Sequence, residues 1–189
     1  MSTFNDLVDQ ICGPKTTASY SGDLSPEETR LKLLDVIARS AFNNLRAYSN
    51  CCRSTLWAIQ THLRMPDTGT IRASSALAGG IGGTGETCGA VIGALMAIGQ
   101  GVGSDGYHEV ERDLKAKAAA KSFVESFTEA IGSTRCHGVQ ESIIGRVCDD
   151  ASKLQAWNEA NGPIGCAAAC GVAARLAAEI LLLQTDSTS

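Results

Sequence analysis

The residues of this chain that could do chemistry are its eight cysteines, a large number for 189 residues. Thiolates act as nucleophiles, redox groups and metal ligands, although any one cysteine can equally be a small buried apolar residue. The close Cys-x2-Cys spacing of ferredoxins and zinc ribbons is absent. A site built from these cysteines must therefore bring together residues from separate elements of the structure.

The redox compartment decides how the cysteines are interpreted. The first ten residues carry Asp6 and Asp9 and lack the basic and apolar regions of a signal peptide. We therefore expect a cytoplasmic protein, in which thiols stay reduced. The cysteines then predict metal binding or redox chemistry instead of a disulfide framework.

Charge and composition exclude several other classes of function. The net charge is -4, and lysine and arginine form no cluster, so we expect no nucleic-acid partner. The most apolar stretch, 91–102, is short and contains glycine, so we expect no membrane span. No Ser/His/Asp arrangement or carboxylate pair supports hydrolase chemistry.

The elements that position the cysteines are predicted to be helices. Apolar residues make up 44% of the chain and aromatic residues only 5%, which favours close packing of helices through small side chains. A capping box at Ser25 and Glu28 predicts the first long helix. We expect an all-α fold: one compact helical bundle of about seven or eight helices over 1–189, with an N-terminal extension (1–24) and a frayed tail (184–189). Further helices are predicted over 50–63, 71–78, 86–98, 108–130, 140–157 and 164–183.

A glycine-rich loop precedes a central helix. Its glycines Gly80, Gly82, Gly83 and Gly85 allow the backbone to fold closely around a group at the helix start. Cys88 is predicted about two residues into that helix, where free N–H groups favour a thiolate. The loop has neither a preceding strand nor a Gly-Lys-Ser/Thr ending, so it does not predict a nucleotide site.

Small residues repeat every four positions along the same helix, at Gly89, Gly93 and Ala97. This row predicts unusually close contact with another helix, either within the chain or across a homodimer, and we keep both alternatives.

Four thiolates from separate helices are the usual ligands of a [2Fe-2S] or [4Fe-4S] cluster, and equally of tetrahedral zinc. Cys166 and Cys170, four residues apart, share a helix face and suit either dithiol chemistry or a core seam. Cys136 is predicted in a turn, and the adjacent His137 is a candidate ligand or proton donor. The spacing does not choose among these alternatives.

Two segments, Asn50–Leu56 and Gly79–Met96, together with Cys136 and a C-terminal cysteine, resemble the C-GCAxxG-C-C family of redox-active proteins. The resemblance covers roughly Leu45 to Ala178. It implies a helical protein with a cysteine-centred redox or iron-sulfur role.

The resemblance also implies a set of site residues. Cys51, Cys88 and Cys136 match the first three family cysteines. Cys170 best matches the fourth, and Cys52 stands where the family more often has a small residue such as alanine. The implied cofactor and metal ligands are therefore Cys51, Cys88, Cys136 and Cys170, with Cys52, Cys148, Cys166 and His137 as alternatives.

We therefore predict a redox-active protein that binds an iron-sulfur cluster and serves in electron transfer or as the redox partner of a larger enzyme. The alternative is a metal-free dithiol protein or a zinc-binding structural module. A protein redox partner is expected in the first case, and a homodimer is left open in both.

Overall fold

The computed structural model describes residues 25–186 as a bundle of eight α-helices. No strand occurs among these residues, which confirms the all-α prediction. The predicted extension 1–24 and the last three residues lie outside the described part. The helices are α1 (Pro26–Tyr48), α2 (Cys51–His62), α3 (Thr68–Ala73), α4 (Gly89–Val102), α5 (Val110–Ile131), α6 (Cys136–Ile144), α7 (Leu154–Glu159) and α8 (Gly162–Asp186), with short 3-10 helices at Ser74–Leu77 and Ala151–Lys153.

The predicted capping box starts α1. The Ser25 hydroxyl accepts the Glu28 N–H at 3.2 Å, and the Ser25 N–H donates to Glu28 Oε2 at 2.9 Å. Pro26 occupies the first helical position, where its missing N–H has no cost. Such a cap contributes about 1 kcal/mol to helix stability.

The apolar helix α8 packs against α1, α2 and α4. Most of its buried side chains are alanines, including Ala167–Ala169 and Ala173, as the low aromatic content predicts. By length and composition, Gly162–Gln184 could cross a membrane, but 61% of its most apolar window is already buried. Packing within the bundle therefore accounts for the apolar composition of this helix.

The row of small residues on α4 packs against another helix of the same chain. A Cβ on Gly93 would collide with the carbonyl oxygen of Cys52, and a Cβ on Gly89 would collide with the sulfur of Cys51. Ala97, the third member of the row, is fully buried. The row therefore sets the close approach of α4 to α2, and a homodimer would have to use another surface.

Several helix boundaries differ from the predictions, including the central helix, which continues past Ile98 to Val102. Cys88 is the N-cap of α4, not a residue of its first turns, and Cys136 begins α6 instead of lying in a turn. The helix predicted over 140–157 ends at Ile144, because Gly145 is left-handed with φ of 72°, and α7 starts only at Leu154. In contrast, α8 continues to Asp186, through the first residues of the tail predicted to fray.

The differences at Cys88 and Cys136 have one cause. Thr87 and Arg135 form an isolated antiparallel bridge. Around it, the Cys88 N–H donates to the Thr134 carbonyl at 2.8 Å, and the Cys136 N–H donates to the Glu86 carbonyl at 2.6 Å. These bonds keep the residues before Gly89 out of α4 and place Cys88 beside Cys136.

Candidate cysteine site

Four cysteines line one solvent-connected cavity of about 390 Å³: Cys51, Cys88, Cys136 and Cys166. They come from α2, the start of α4, α6 and α8, four elements that are separate in sequence. The rest of the lining is largely apolar, and it contains no carboxylate. Thiols are therefore the main metal-ligating groups that this cavity offers.

Three of these cysteines stand at helix N-termini. Cys51 is the first residue of α2 after the N-cap Asn50, Cys88 caps α4, and Cys136 is the first residue of α6. Unpaired N–H groups and the helix dipole favour negative charge at such positions. Arg46 also lines the cavity, with its guanidinium carbon 5.8 Å from the centroid of the Phe42 ring.

Burial opposes ionisation of the metal-free thiols. Burial raises the pKa of Cys88 well above its usual range and raises the pKa of Cys166 to about 12, with neighbouring cysteines adding to both shifts. Burial also raises the pKa of Cys136, while the Gln140 amide lowers it. The raised pKa values favour the neutral thiols of Cys88, Cys136 and Cys166, so their ligation of a metal would release protons.

The glycine loop holds Cys136 in place through close contact. Gly79, Gly80, Ile81, Gly82 and Gly83 all have positive φ, between 62° and 85°. A Cβ on Gly80 would lie 2.7 Å from the Cβ of Cys136 and 2.6 Å from the Glu86 nitrogen, and a Cβ on Gly85 would collide with the His137 ring. A Cβ on Gly82 would make only an ordinary contact with the Ala76 carbonyl oxygen, and one on Gly83 would have no neighbour within 4 Å, so only their positive φ favours glycine.

Gly80→Ala is expected to lower the free energy of unfolding by about 3 kcal/mol, because it combines positive-φ strain with a collision at Cys136. Gly83→Ala carries the same kind of strain without the collision, and its expected loss is about 1 kcal/mol. Urea unfolding followed by far-UV circular dichroism measures both values. Equal losses would show that the contact with Cys136 contributes nothing.

The other predicted site residues lie around the cavity instead of lining it. Cys170 is fully buried one turn further along α8 than Cys166, with its sulfur 3.7 Å from the Cys51 carbonyl oxygen. Cys52 faces the other way, with its sulfur 4.0 Å from the Met96 sulfur. His137 packs on Gly85.

The remaining candidate, Cys148, follows α6 and is partly exposed. All seven cysteines among residues 25–186 are free thiols. As their side chains stand, no three His, Cys, Asp or Glu residues in this range are grouped closely enough to hold a metal ion.

Two cavity residues were missed by the sequence analysis. Gln140 lies one helical turn after Cys136, a spacing that could have identified it once α6 was known to start at Cys136. Trp157 also lines the cavity, and its buried indole N–H has no hydrogen-bond partner. No local pattern in the sequence points to Trp157.

The family comparison extends across most of this structure. The sequence model described as "Putative redox-active protein (C_GCAxxG_C_C)" matches residues 49–180, well over half of the chain. The chain belongs to this family. The matched region of this C-GCAxxG-C-C protein contains the cavity cysteines, the glycine loop and most of α8. Searches of curated proteins and of solved structures found no match.

Proposed function

We propose that this C-GCAxxG-C-C protein binds an iron-sulfur cluster in the cysteine cavity and exchanges electrons with a protein partner. The observation that carries the proposal is the convergence of Cys51, Cys88, Cys136 and Cys166 on one cavity from four different helices. Four thiolates are the usual ligand set of [2Fe-2S] and [4Fe-4S] clusters. A bound cluster would supply one-electron transfer.

The residues present fit such a group in three ways. The cavity offers thiols and no carboxylate, which suits iron and sulfide. The N-termini of α2, α4 and α6 would stabilise the negative charge of thiolate ligands. The unpartnered indole N–H of Trp157 is a donor available to a sulfur atom. Because the thiols are not yet grouped, ligation requires their side chains to rotate toward the centre of the cavity.

The fourth ligand would come from α8. The family resemblance favours Cys170, whereas the lining of the cavity favours Cys166. The two residues are one helical turn apart, and Cys170 is completely buried. Cys166→Ala and Cys170→Ala variants would separate them: we expect the Cys166 variant to lose bound iron and the Cys170 variant to keep it.

The test is the iron, zinc and acid-labile sulfide content of the full chain, purified anaerobically and then reconstituted with iron and sulfide. We expect iron and sulfide in equal amounts and visible absorbance that bleaches on reduction. Cys88→Ser should lose both. A colourless, iron-free protein after reconstitution would overturn the proposal.

A zinc-binding or metal-free dithiol function is the second candidate. One observation favours the metal-free form: in residues 25–186 no three potential ligands are grouped in the structure. The second candidate predicts either stoichiometric zinc without colour, or no metal and a dithiol that is oxidised and reduced reversibly. The same analysis of metal and sulfide distinguishes the two candidates.

A further inference from the structure

Gln140 is a buried polar side chain that contacts two cysteines at once. It is 7% exposed and lies in the cavity wall, one turn after Cys136 on α6. Its Nε2 donates to the Cys136 sulfur at 3.6 Å. Its Oε1 accepts the backbone N–H of Cys148 at 2.8 Å. The amide therefore makes a hydrogen bond at each end, one to a cysteine of the cavity and one to the segment that follows α6.

We propose that Gln140 is a positioning residue of the cysteine site: its amide N–H holds the Cys136 sulfur in the cavity wall, and its carbonyl fastens the Cys148 segment to α6. The proposal relies on the proposed function only in taking Cys136 as a site thiol. It does not require that any metal is bound.

The chemistry of the amide explains why glutamine suits this position. A glutamine side chain has both donors and an acceptor, a glutamate offers only acceptors when ionised, and a methionine offers neither a donor nor a strong acceptor. A sulfur that carries negative charge, as a thiolate or as a ligand, is stabilised by the N–H that points at it. The Gln140 donor is thus placed where charge develops.

The carbonyl oxygen of Gln140 contacts the segment between α6 and α7. Gly145 ends α6 in a left-handed conformation, and the chain then runs to the 3-10 helix at Ala151. Between them, the bond from the Cys148 N–H to Gln140 ties this segment to the bundle. Because Cys148 is partly exposed, its reactivity reports whether the segment remains attached.

The test compares alkylation rates of individual cysteines in the reduced, metal-free full chain. Trypsin releases residues 136–146 and 147–153 as separate peptides, whose single cysteines are Cys136 and Cys148, so mass spectrometry follows each thiol. Iodoacetamide at one fixed pH is the probe. The variants are Gln140→Glu, which keeps the acceptor and loses the donor, and Gln140→Met, which loses both.

In Gln140→Glu, we expect Cys136 to react about tenfold more slowly, because the lost N–H bond to a charged sulfur is worth about that factor. Cys148 should react at the wild-type rate. In Gln140→Met, Cys136 should again slow, and Cys148 should react several times faster as its segment loses the anchor. Asn43→Asp, at an exposed position of α1, adds the same charge elsewhere and should change neither rate.

Two results would overturn the proposal. If the alkylation rate of Cys136 in Gln140→Glu is within twofold of wild type, the amide donor has no role at Cys136. If the alkylation rate of Cys148 in Gln140→Met is unchanged, the acceptor does not hold the Cys148 segment. If Gln140→Met does not fold, as judged by circular dichroism, the isosteric Gln140→Glu variant still decides the first point, and Gln140→Leu, which also lacks the acceptor, decides the second. Because the assay uses metal-free protein, its result remains valid even if the protein binds no cluster.

Discussion

Cys51→Ala is expected to abolish cluster binding, whereas Cys52→Ala, one residue further along the chain, leaves it intact. The two side chains leave the first turn of α2 in different directions: Cys51 lines the cavity, and Cys52 contacts the Met96 sulfur in the core. Removing a ligand should lower the iron and sulfide bound per chain by at least about tenfold, since even changes around a ligand cost 10–100-fold in affinity. Iron and sulfide analysis after anaerobic reconstitution measures the difference.

The adjacent variant controls for the loss of a buried sulfur. Cys52 is fully buried, so Cys52→Ala should lower the melting temperature while iron and sulfide stay at the wild-type ratio. If both variants lost iron equally, stability and not ligation would be responsible. If Cys51→Ala kept its iron, the proposed cluster site would be wrong.

Gly93→Ala is expected to destabilise the bundle strongly, with a loss of about 3 kcal/mol in the free energy of unfolding. The new Cβ would meet the carbonyl oxygen of Cys52, which belongs to the backbone of α2 and cannot rotate away. The two helices would have to separate, and Cys51 would move with α2. Urea unfolding at a single protein concentration gives the value.

Gly99→Ala is the matched control on the same helix. Gly99 is exposed, and its added Cβ would have no neighbour within 4 Å. Because alanine is a better helix former than glycine, this change should stabilise the protein by about 0.5–1 kcal/mol. The prediction for Gly93 is contradicted if Gly93→Ala is no less stable than Gly99→Ala.

Signals that act over one or two turns were sufficient to predict much of the fold. The capping box at Ser25 gave the start of α1, and the repeat of Gly89, Gly93 and Ala97 gave the close contact of α4. Both depend on helical spacing, which is visible in a single sequence. The family motif likewise gave the membership and the redox-active class.

Long-range pairing explains what the sequence could not provide. The starts of α4 and α6 depend on the bridge of Thr87 with Arg135, and the neighbouring ion pair of Arg135 and Glu86 joins residues 49 positions apart. No local pattern predicts such a pairing. The same holds for Cys166 and Cys170: periodicity places both on one face of α8, but only the tertiary packing shows which of them reaches the cavity.

The placement of Cys51, Cys88 and Cys136 at three separate helix starts has a consequence for how the protein matures. In the unfolded chain these thiols are far apart, so the site exists only after α2, α4 and α6 have packed together. Folding and ligation would therefore be linked, and a ligand that binds only the packed helices would stabilise the native state by mass action. Removal of such a ligand would lower the stability of all three helices together.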